Sequence, residues 1–284
     1  MNHPGDKNVT TRFAPSPNGL LHMGHAYSAL FSARHAQDRG GRFVLRIEDI
    51  DTTRAREEYV RAIAEDLRWL GVSWQEPVLR QSRNMAAYQD ALRKLRDLGV
   101  LYPCACSRKD IRQAIAGKPH WPCDPDGAPL YPGTCKGRDV ARHDVAWRLD
   151  MDKALSAVGA PLTWQEEGSG PAAERGIIAA RPQDWGDVIL ARRDIGVSYH
   201  IAVVVDDAAQ GITHVTRGQD LFHASAIHRL LQRLLGLPEP VYVHHRLITG
   251  EGGRKLSKSL ADTSLRALRA AGMSPGELKR RLGF

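Results

Sequence analysis

The sequence predicts an α/β fold that begins with a nucleotide-binding unit, because strand and helix patterns alternate through its N-terminal quarter. Residues 9–14 form a short strand-like stretch that two prolines and an Asn-Gly turn signal then break. A helical spacing of apolar residues follows over residues 25–39 and ends at two glycines. Residues 43–47 indicate a second strand, and residues 55–70 an amphipathic helix. Strand, turn, helix, strand and helix in this order open a nucleotide-binding α/β unit.

The rest of the chain divides into an irregular middle and a second alternating part. A helix is predicted over residues 85–99, and from there to about residue 187 the chain is rich in cysteine, proline and glycine. That composition indicates an inserted module or a set of long loops, and the clustered cysteines favour a module. Regular patterns resume with strands at residues 188–190 and 201–205, a helix at about 220–235, a strand at 241–248, and a short helical tail after a glycine- and lysine-rich loop.

Composition favours an anionic partner. The 284 residues are 42% hydrophobic and 25% charged, with 40 Lys and Arg against 32 Asp and Glu, a net charge of +8 and a pI near 9.5. Such a balance favours nucleic acid first, although an arginine-rich genome would produce it too. No apolar run reaches membrane length and the N-terminus has no apolar signal core, so a cytoplasmic protein without membrane association is expected.

Two histidines flank a glycine where the first strand gives way to a helix, in P-S-P-N-G-L-L-H-M-G-H, residues 15–25. Backbone N–H groups and the helix dipole favour an anion at such a helix start. His22 and His25 could donate hydrogen bonds to phosphate oxygens that gain charge during reaction at phosphorus. Alone, the pattern would also fit two polar residues at a helix start.

The second signal is R-K-L-S-K-S, residues 254–259, which follows a glycine-rich stretch. Lys255 and Lys258 on such a loop could form a mobile cationic clamp for a triphosphate. Taken alone, a solvated basic loop would explain it as well.

Together and in this order, the two signals resemble the HIGH and KMSKS signatures of class I aminoacyl-tRNA synthetases. Three further motifs narrow the resemblance to glutamyl-tRNA synthetases: L-R-I-E-D-I-D-T-T-R, Y-H-I-A-V-V-V-D-D and H-V-T-R-G-Q-D-L. The match covers most of residues 8–260. This chain has HMGH and KLSKS in place of the common signatures, and both keep the histidines, glycine and lysines that the chemistry uses. The resemblance implies a Rossmann-like catalytic domain.

The resemblance also implies a glutamate site. Arg12 and Arg217 would hold the two carboxylates of the amino acid, because guanidinium groups suit bidentate carboxylate contacts. Glu48 would bind the α-ammonium, Ser16 a carboxylate oxygen, and Tyr199 would flank the substrate. L-glutamate and ATP are therefore the expected substrates.

By the same resemblance, His22, Gly24, His25, Lys255 and Lys258 bind ATP, and His22, His25 and Lys258 act in catalysis. Glutamate would attack the α-phosphorus, giving glutamyl-adenylate and pyrophosphate. The protein would contribute positioning and charge stabilisation, with no covalent intermediate. Mg²⁺ is expected to accompany ATP.

The four cysteines lie close together in the sequence, which in a reducing compartment indicates a metal rather than disulfides. The residues alone suggest a Cys₄ zinc site of Cys104, Cys106, Cys123 and Cys135. The resemblance implies another set: short relatives of glutamyl-tRNA synthetase carry C-x-C followed by Y-x-x-x-C. Here that pattern gives Cys104, Cys106, Tyr131 and Cys135, with one structural Zn²⁺ per chain and Cys123 as a free thiol.

The resemblance suggests a domain organisation as well. The expected parts are residues 1–98, the first half of the Rossmann-like domain; 99–187, an inserted connective module with the zinc site; 188–236, the second half; and 237–284, the KLSKS loop with a short stem-contact segment.

The stretch after Ser259 is too short for a domain of about 50 residues, so no anticodon-binding domain is expected. In this the chain resembles the glutamyl-queuosine tRNA(Asp) synthetase family, which attaches glutamate to the queuosine base at the wobble position of tRNA(Asp). Two alternatives remain open: a minimal synthetase that charges the 3′ end of tRNA(Glu), and a non-catalytic tRNA-binding paralogue. A monomer is expected.

Overall fold

A computed structural model describes residues 9–140, 144–249 and 263–284. The strands are β1 (Thr10–Phe13), β2 (Arg42–Ile47), β3 (Gln75–Arg80), β4 (Leu101–Cys104), β5 (Ala146–Leu149), β6 (Thr163–Glu166), β7 (Gly176–Ala179), β8 (Ile189–Ala191), β9 (His214–Gly218) and β10 (Val241–His245). The helices are α1 (Met23–Gln37), α2 (Glu57–Trp69), α3 (Met85–Asp97), α4 (Arg108–Ile115), α5 (Met151–Val158), α6 (Tyr199–Ala209), α7 (Ser225–Leu235), α8 (Leu265–Ala270) and α9 (Pro275–Leu282).

Parallel strands form the centre of the fold. β1, β2 and β3 pair in parallel, and β9 pairs in parallel with β10. β9 lies beside β1, where the N–H of Thr213 donates to the carbonyl of Thr10 at 3.1 Å. Gly41 allows β2 to begin close to the first strand, since a Cβ there would lie 2.2 Å from the Val9 carbonyl oxygen. The carboxyl ends of these strands therefore share one edge, where α/β proteins bind ligands.

The helices pack into two main hydrophobic cores. The apolar face of α2 buries Ile63 and Leu67 in a core that also takes residues from β1, β2, α1, α8 and α9. A second core joins α3, α5, α6 and α7. No helix in the described ranges is long and apolar enough to cross a membrane.

The predicted irregular middle contains ordered elements. β5 pairs antiparallel with β4 on one side and with β8 on the other. β6 and β7 form an antiparallel pair, and β6 joins the sheet of β9 and β10 through the pairing of Glu166 with Tyr242. A strand from the predicted insert therefore lies next to β10, and the domain boundary at residue 187 stays a prediction.

The prediction of a strand at residues 201–205 was wrong, because these residues lie in α6. A short apolar run looks the same whether it is a strand or one turn of a fully buried helix. The polar residue at the start, Ser198, lies at the N-cap of α6, and Asp206 and Asp207 near its end are buried. The helix predicted at 220–235 begins later, at Ser225.

Candidate active site

A cleft of about 690 Å³ opens at the carboxyl ends of β1, β2, β9 and β10. Its walls contain every described residue that the sequence predicts for glutamate or ATP binding: Arg12, Ser16, His22, Gly24, His25, Glu48, Tyr199 and Arg217. Lys255 and Lys258 lie outside the described residues. A larger cavity of about 960 Å³ lies near the opposite edge, around the starts of β2 and β3, and its lining includes none of the predicted residues.

The two histidine rings of the H-x-G-H turn contact each other at the start of α1, with centroids 3.8 Å apart and planes tilted by 46°. The N–H of Gly24 donates to His22 Nδ1 at 3.1 Å, and the N–H of His22 donates to His25 Nδ1 at 3.2 Å. Because each neutral ring accepts at Nδ1, its proton is on Nε2, which makes both rings donors there. A Cβ at Gly24 would lie 3.0 Å from His22 Cε1, so this close packing favours glycine.

The C-terminal segment returns to this turn. Ser264 forms a backbone bridge with His22, and the N–H of Leu265 donates to the carbonyl of Leu21 at 2.8 Å. The residues that follow the KLSKS segment in sequence are thus held against the H-x-G-H turn.

Arg12 extends from β1 into a buried charge cluster. Its Nε donates to Asp207 Oδ1 at 3.0 Å, and its Nη1 donates to the carbonyl of Thr216 at 2.9 Å. Arg46 Nη1 donates to the same Asp207 oxygen at 2.8 Å. Burial alone would raise the pKa of Asp207, but the two arginines outweigh it and the pKa lies below its ordinary value. Asp207 therefore stays ionised and fixes the guanidinium of Arg12.

Glu48 follows β2 and lines the cleft with an almost buried side chain. Its Oε1 lies 3.4 Å from Arg46 Nη2. Burial raises the pKa of Glu48 above its ordinary value, and Arg46 and Arg12 oppose that shift. A cation beside this carboxyl would stabilise its charged form, which suits an ammonium ligand.

Arg217, on β9, is 4% exposed and has no carboxylate partner among the described residues. Its Nε donates to His244 Nε2 at 3.1 Å, its Nη1 to His228 Nδ1 at 3.1 Å and its Nη2 to Ser225 Oγ at 2.7 Å. The guanidinium also lies 5.1 Å from the ring centroid of Tyr242. A buried cation usually has an anionic partner, so Arg217 can serve as a binding group for an anion that enters this cleft.

A family model described as the catalytic domain of class I tRNA synthetases (E and Q) matches residues 8–124 and 171–282. The chain belongs to this family. It is a class I aminoacyl-tRNA synthetase-like ligase, as its motifs predict.

Individual relatives agree with the family. The glutamyl-Q tRNA(Asp) synthetase of Rhodobacter capsulatus is 50% identical, over 97% of this chain and 100% of that protein. The protein of the same name from Symbiobacterium thermophilum is 40% identical, over 96% of this chain and 85% of its own. The crystal structure of glutamate-tRNA synthetase from Elizabethkingia anophelis superposes with a TM-score of 0.70 at 26% identity, covering 94% of this chain and 54% of that one. The predicted class I catalytic α/β fold is confirmed.

Several residues that shape the site of this class I synthetase were not singled out from the sequence. Asp207 was visible at the end of the Y-H-I-A-V-V-V-D-D motif, where two acids end an apolar run, and Arg46 in L-R-I-E-D-I-D-T-T-R. Glu166, His228 and His244 stand in no motif that would have drawn attention to them. Only the tertiary structure brings them to Arg217.

The predicted zinc ligands come together in the synthetase's middle region. Tyr131 Oη lies 3.3 Å from Cys104 Sγ and 3.4 Å from Cys106 Sγ, and Cys106 Sγ lies 3.4 Å from Cys135 Sγ. Two thiolate sulfurs on a tetrahedral zinc ion are about 3.8 Å apart, so these donors lie near the spacing that the metal requires. Cys123 is exposed and does not belong to the three-thiol group among the described residues.

A second group of possible ligands, His35, Glu167 and His214, lies where α1, β6 and β9 meet. The guanidinium of Arg39 already lies among them, with Nη1 3.4 Å from His35 Nδ1 and Nη2 3.9 Å from Glu167 Oε2. Because the Arg39 guanidinium already provides a positive charge beside these residues, we assign no metal to this group.

Proposed function

We propose that this enzyme activates L-glutamate with ATP and Mg²⁺ and transfers it to the queuosine base at the wobble position of tRNA(Asp). The observation that carries the first step is Arg217, a buried cation in the cleft without a carboxylate partner among the described residues. The glutamyl-Q tRNA(Asp) synthetase of Rhodobacter capsulatus, which shares half of its residues with this chain over that protein's full length, supports the second step.

In the proposed reaction, Arg12 and Arg217 bind the two carboxylates of glutamate. Glu48 binds the α-ammonium, Ser16 contacts a carboxylate oxygen, and Tyr199 packs along the substrate. Asp207 holds Arg12 through its Nε and the carbonyl of Thr216 holds its Nη1, which leaves Nη2 for the ligand. Fixed donors of this kind lower the entropic cost of orienting the reacting carboxylate.

The α-carboxylate of glutamate then attacks the α-phosphorus of ATP, and the bond to the β-phosphate oxygen breaks to release pyrophosphate. His22 and His25 donate from Nε2 to phosphate oxygens as negative charge develops there. Lys255 and Lys258 would bind the triphosphate, a role that rests on the family resemblance. Mg²⁺ would neutralise phosphate charge when bound with ATP.

The proposed zinc ion has a structural role. Cys104, Cys106, Tyr131 and Cys135 would hold it between β4 and the loop before β5. Arg148 supports this set, since its Nε lies 3.3 Å from Cys104 Sγ and its guanidinium carbon 3.7 Å from the centroid of the Tyr131 ring. A cation beside several thiolates offsets their negative charge.

Substitution of a thiol should release the metal. We expect one Zn²⁺ per wild-type chain by elemental analysis, and loss of both zinc and thermal stability in Cys104→Ser and Cys135→Ser, because structural zinc contributes folding energy. Cys123→Ser is the matched control and should keep the metal. Zinc loss in Cys123→Ser together with zinc retention in Tyr131→Phe would show that the ligand set is wrong.

Two measurements test the proposed function. Glutamate-dependent exchange of pyrophosphate into ATP should occur without tRNA, because every proposed glutamate or ATP ligand belongs to this chain. Labelled glutamate should then appear on the anticodon fragment of tRNA(Asp), and tRNA(Asp) from cells that lack queuosine should accept none. Label on the 3′ end of tRNA(Glu) would indicate the minimal synthetase instead, and exchange at background level would indicate a non-catalytic protein.

A further inference from the structure

We propose that Glu166 and His244 form a positioning pair that holds Arg217 ready for a substrate carboxylate and thereby sets the preference for glutamate over glutamine. The inference rests on the proposed function, in which Arg217 binds a carboxylate. Neither residue lines the cleft, so each would act through Arg217.

The direction of each hydrogen bond follows from the chemistry of arginine, which only donates. His244 Nε2 must therefore accept from Arg217 Nε at 3.1 Å, and the imidazole proton is on Nδ1. That Nδ1–H donates to Glu166 Oε2 at 2.6 Å. The other oxygen of Glu166 accepts the backbone N–H groups of Gly168 and His244, both at 2.9 Å. The carboxylate thus fixes the tautomer of His244 that Arg217 requires.

The second imidazole partner of Arg217 has the same polarity. His228 Nδ1 accepts from Arg217, so its Nε2–H points to His200 Nδ1, 3.2 Å away. Burial lowers the pKa of His244 and of His200 to about 4, with Arg217 acting in the same direction, and lowers that of His228 well below its ordinary value. At neutral pH all three rings are therefore uncharged acceptors or relays and do not repel Arg217.

This arrangement places a negative charge near Arg217 while three hydrogen bonds use three of its five N–H groups, which leaves one N–H on each terminal nitrogen for a substrate carboxylate. Glu166 offsets part of the cost of burying the guanidinium, yet one imidazole separates the two charges. Arg12 differs, because Asp207 contacts it directly. A carboxylate in direct contact would offset more of the positive charge of Arg217, whereas the relay through His244 orients the guanidinium and leaves more of its charge for the substrate.

The pair also connects the predicted insert to the glutamate site. Glu166 ends β6 and His244 lies on β10, two strands that meet only in the folded sheet. Gly168 permits this approach, since a Cβ there would lie 2.2 Å from the carbonyl oxygen of His244. Glutamate recognition would therefore depend on how the strand from the insert docks.

Saturation kinetics of pyrophosphate exchange test the inference with Glu166→Gln. We expect the KM for glutamate to rise about 10–100-fold, as for loss of one partner in a buried hydrogen-bond network, while the KM for ATP stays within about threefold. The ratio of kcat/KM for glutamate to that for glutamine should fall by a similar factor. His244→Gln, whose amide oxygen can replace the Nε2 acceptor, should retain more glutamate affinity than His244→Leu.

Glu167→Gln is the matched control, since its half-exposed carboxylate faces Arg39 and His214 rather than the cleft, and its kinetics should equal those of the wild type. An unchanged KM for glutamate in a folded Glu166→Gln would overturn the inference. So would parallel increases in both KM values with a lower melting temperature, which is the result of a merely structural role. A wild-type enzyme without glutamate-dependent exchange would instead refute the proposed function itself.

Discussion

Arg217→Ala should lower kcat/KM for glutamate in pyrophosphate exchange by roughly 10³-fold. Removing one side of a buried charged hydrogen bond costs about 2–5 kcal/mol, and the substrate carboxylate would lose such a partner. Arg217→Lys keeps the charge but lacks the planar fork that contacts Ser225, His228 and His244 together, so it should recover only part of the activity.

Stability should respond to Arg217→Ala much less than activity does. The guanidinium is desolvated without a carboxylate partner among the described residues, so its removal relieves a cost while it breaks three hydrogen bonds. Arg229→Ala is the matched control: Arg229 is 3% exposed, binds the carbonyl of Thr163 and pairs with Glu239 away from the cleft. It should lower the melting temperature and leave the KM for glutamate unchanged. Normal glutamate kinetics in Arg217→Ala would contradict the site.

Sequence patterns were sufficient where contacts are local. The opening strands and helices have clear periodicity. Both ends of the observed β1, α1, β2 and α2 lie within two residues of the predicted ends. α6 was mistaken for a strand because a helix that is mostly buried lacks the polar stripe that identifies a surface helix. Its two acids, Asp206 and Asp207, are buried by pairing with residues far away in sequence, which no local pattern predicts.

The candidate site divides in the same way. Residues that line the cleft stand in motifs and could be proposed from the sequence, and the structure places all of the described ones together. Residues that support them could not, because their partners are distant: Glu166 meets His244 across 78 positions, and Arg12 meets Asp207 across 195. Tyr131 could be proposed as a ligand only from the resemblance, since a phenol oxygen gives no metal signal by spacing alone, and the structure places its Oη beside the thiols.

Asp207→Asn should have the largest effect on stability, lowering the free energy of unfolding by about 3–5 kcal/mol at pH 7. Asp207 accepts from both Arg12 and Arg46, whose guanidinium groups are almost fully buried. An asparagine keeps the volume but leaves two buried cations short of an anion. Arg12 should also lose its orientation, so the KM for glutamate should rise in protein that remains folded. Urea titration and pyrophosphate exchange would measure the two effects.

The stability that Asp207→Asn loses should depend on pH, in a direction that the pKa of Asp207 determines. The pKa of Asp207 is lower in the folded protein than in the unfolded chain, where it is about 3.9. Its stabilisation is therefore fully present above about pH 4 and disappears as the pH falls through the folded pKa. Asp194→Asn is the control, because this exposed acid pairs with Arg192 at the surface and should change stability by less than about 1 kcal/mol. If the free energy of unfolding of Asp207→Asn differed from that of the wild type by less than about 1 kcal/mol, the buried cluster would not be holding Arg12 as the structure indicates.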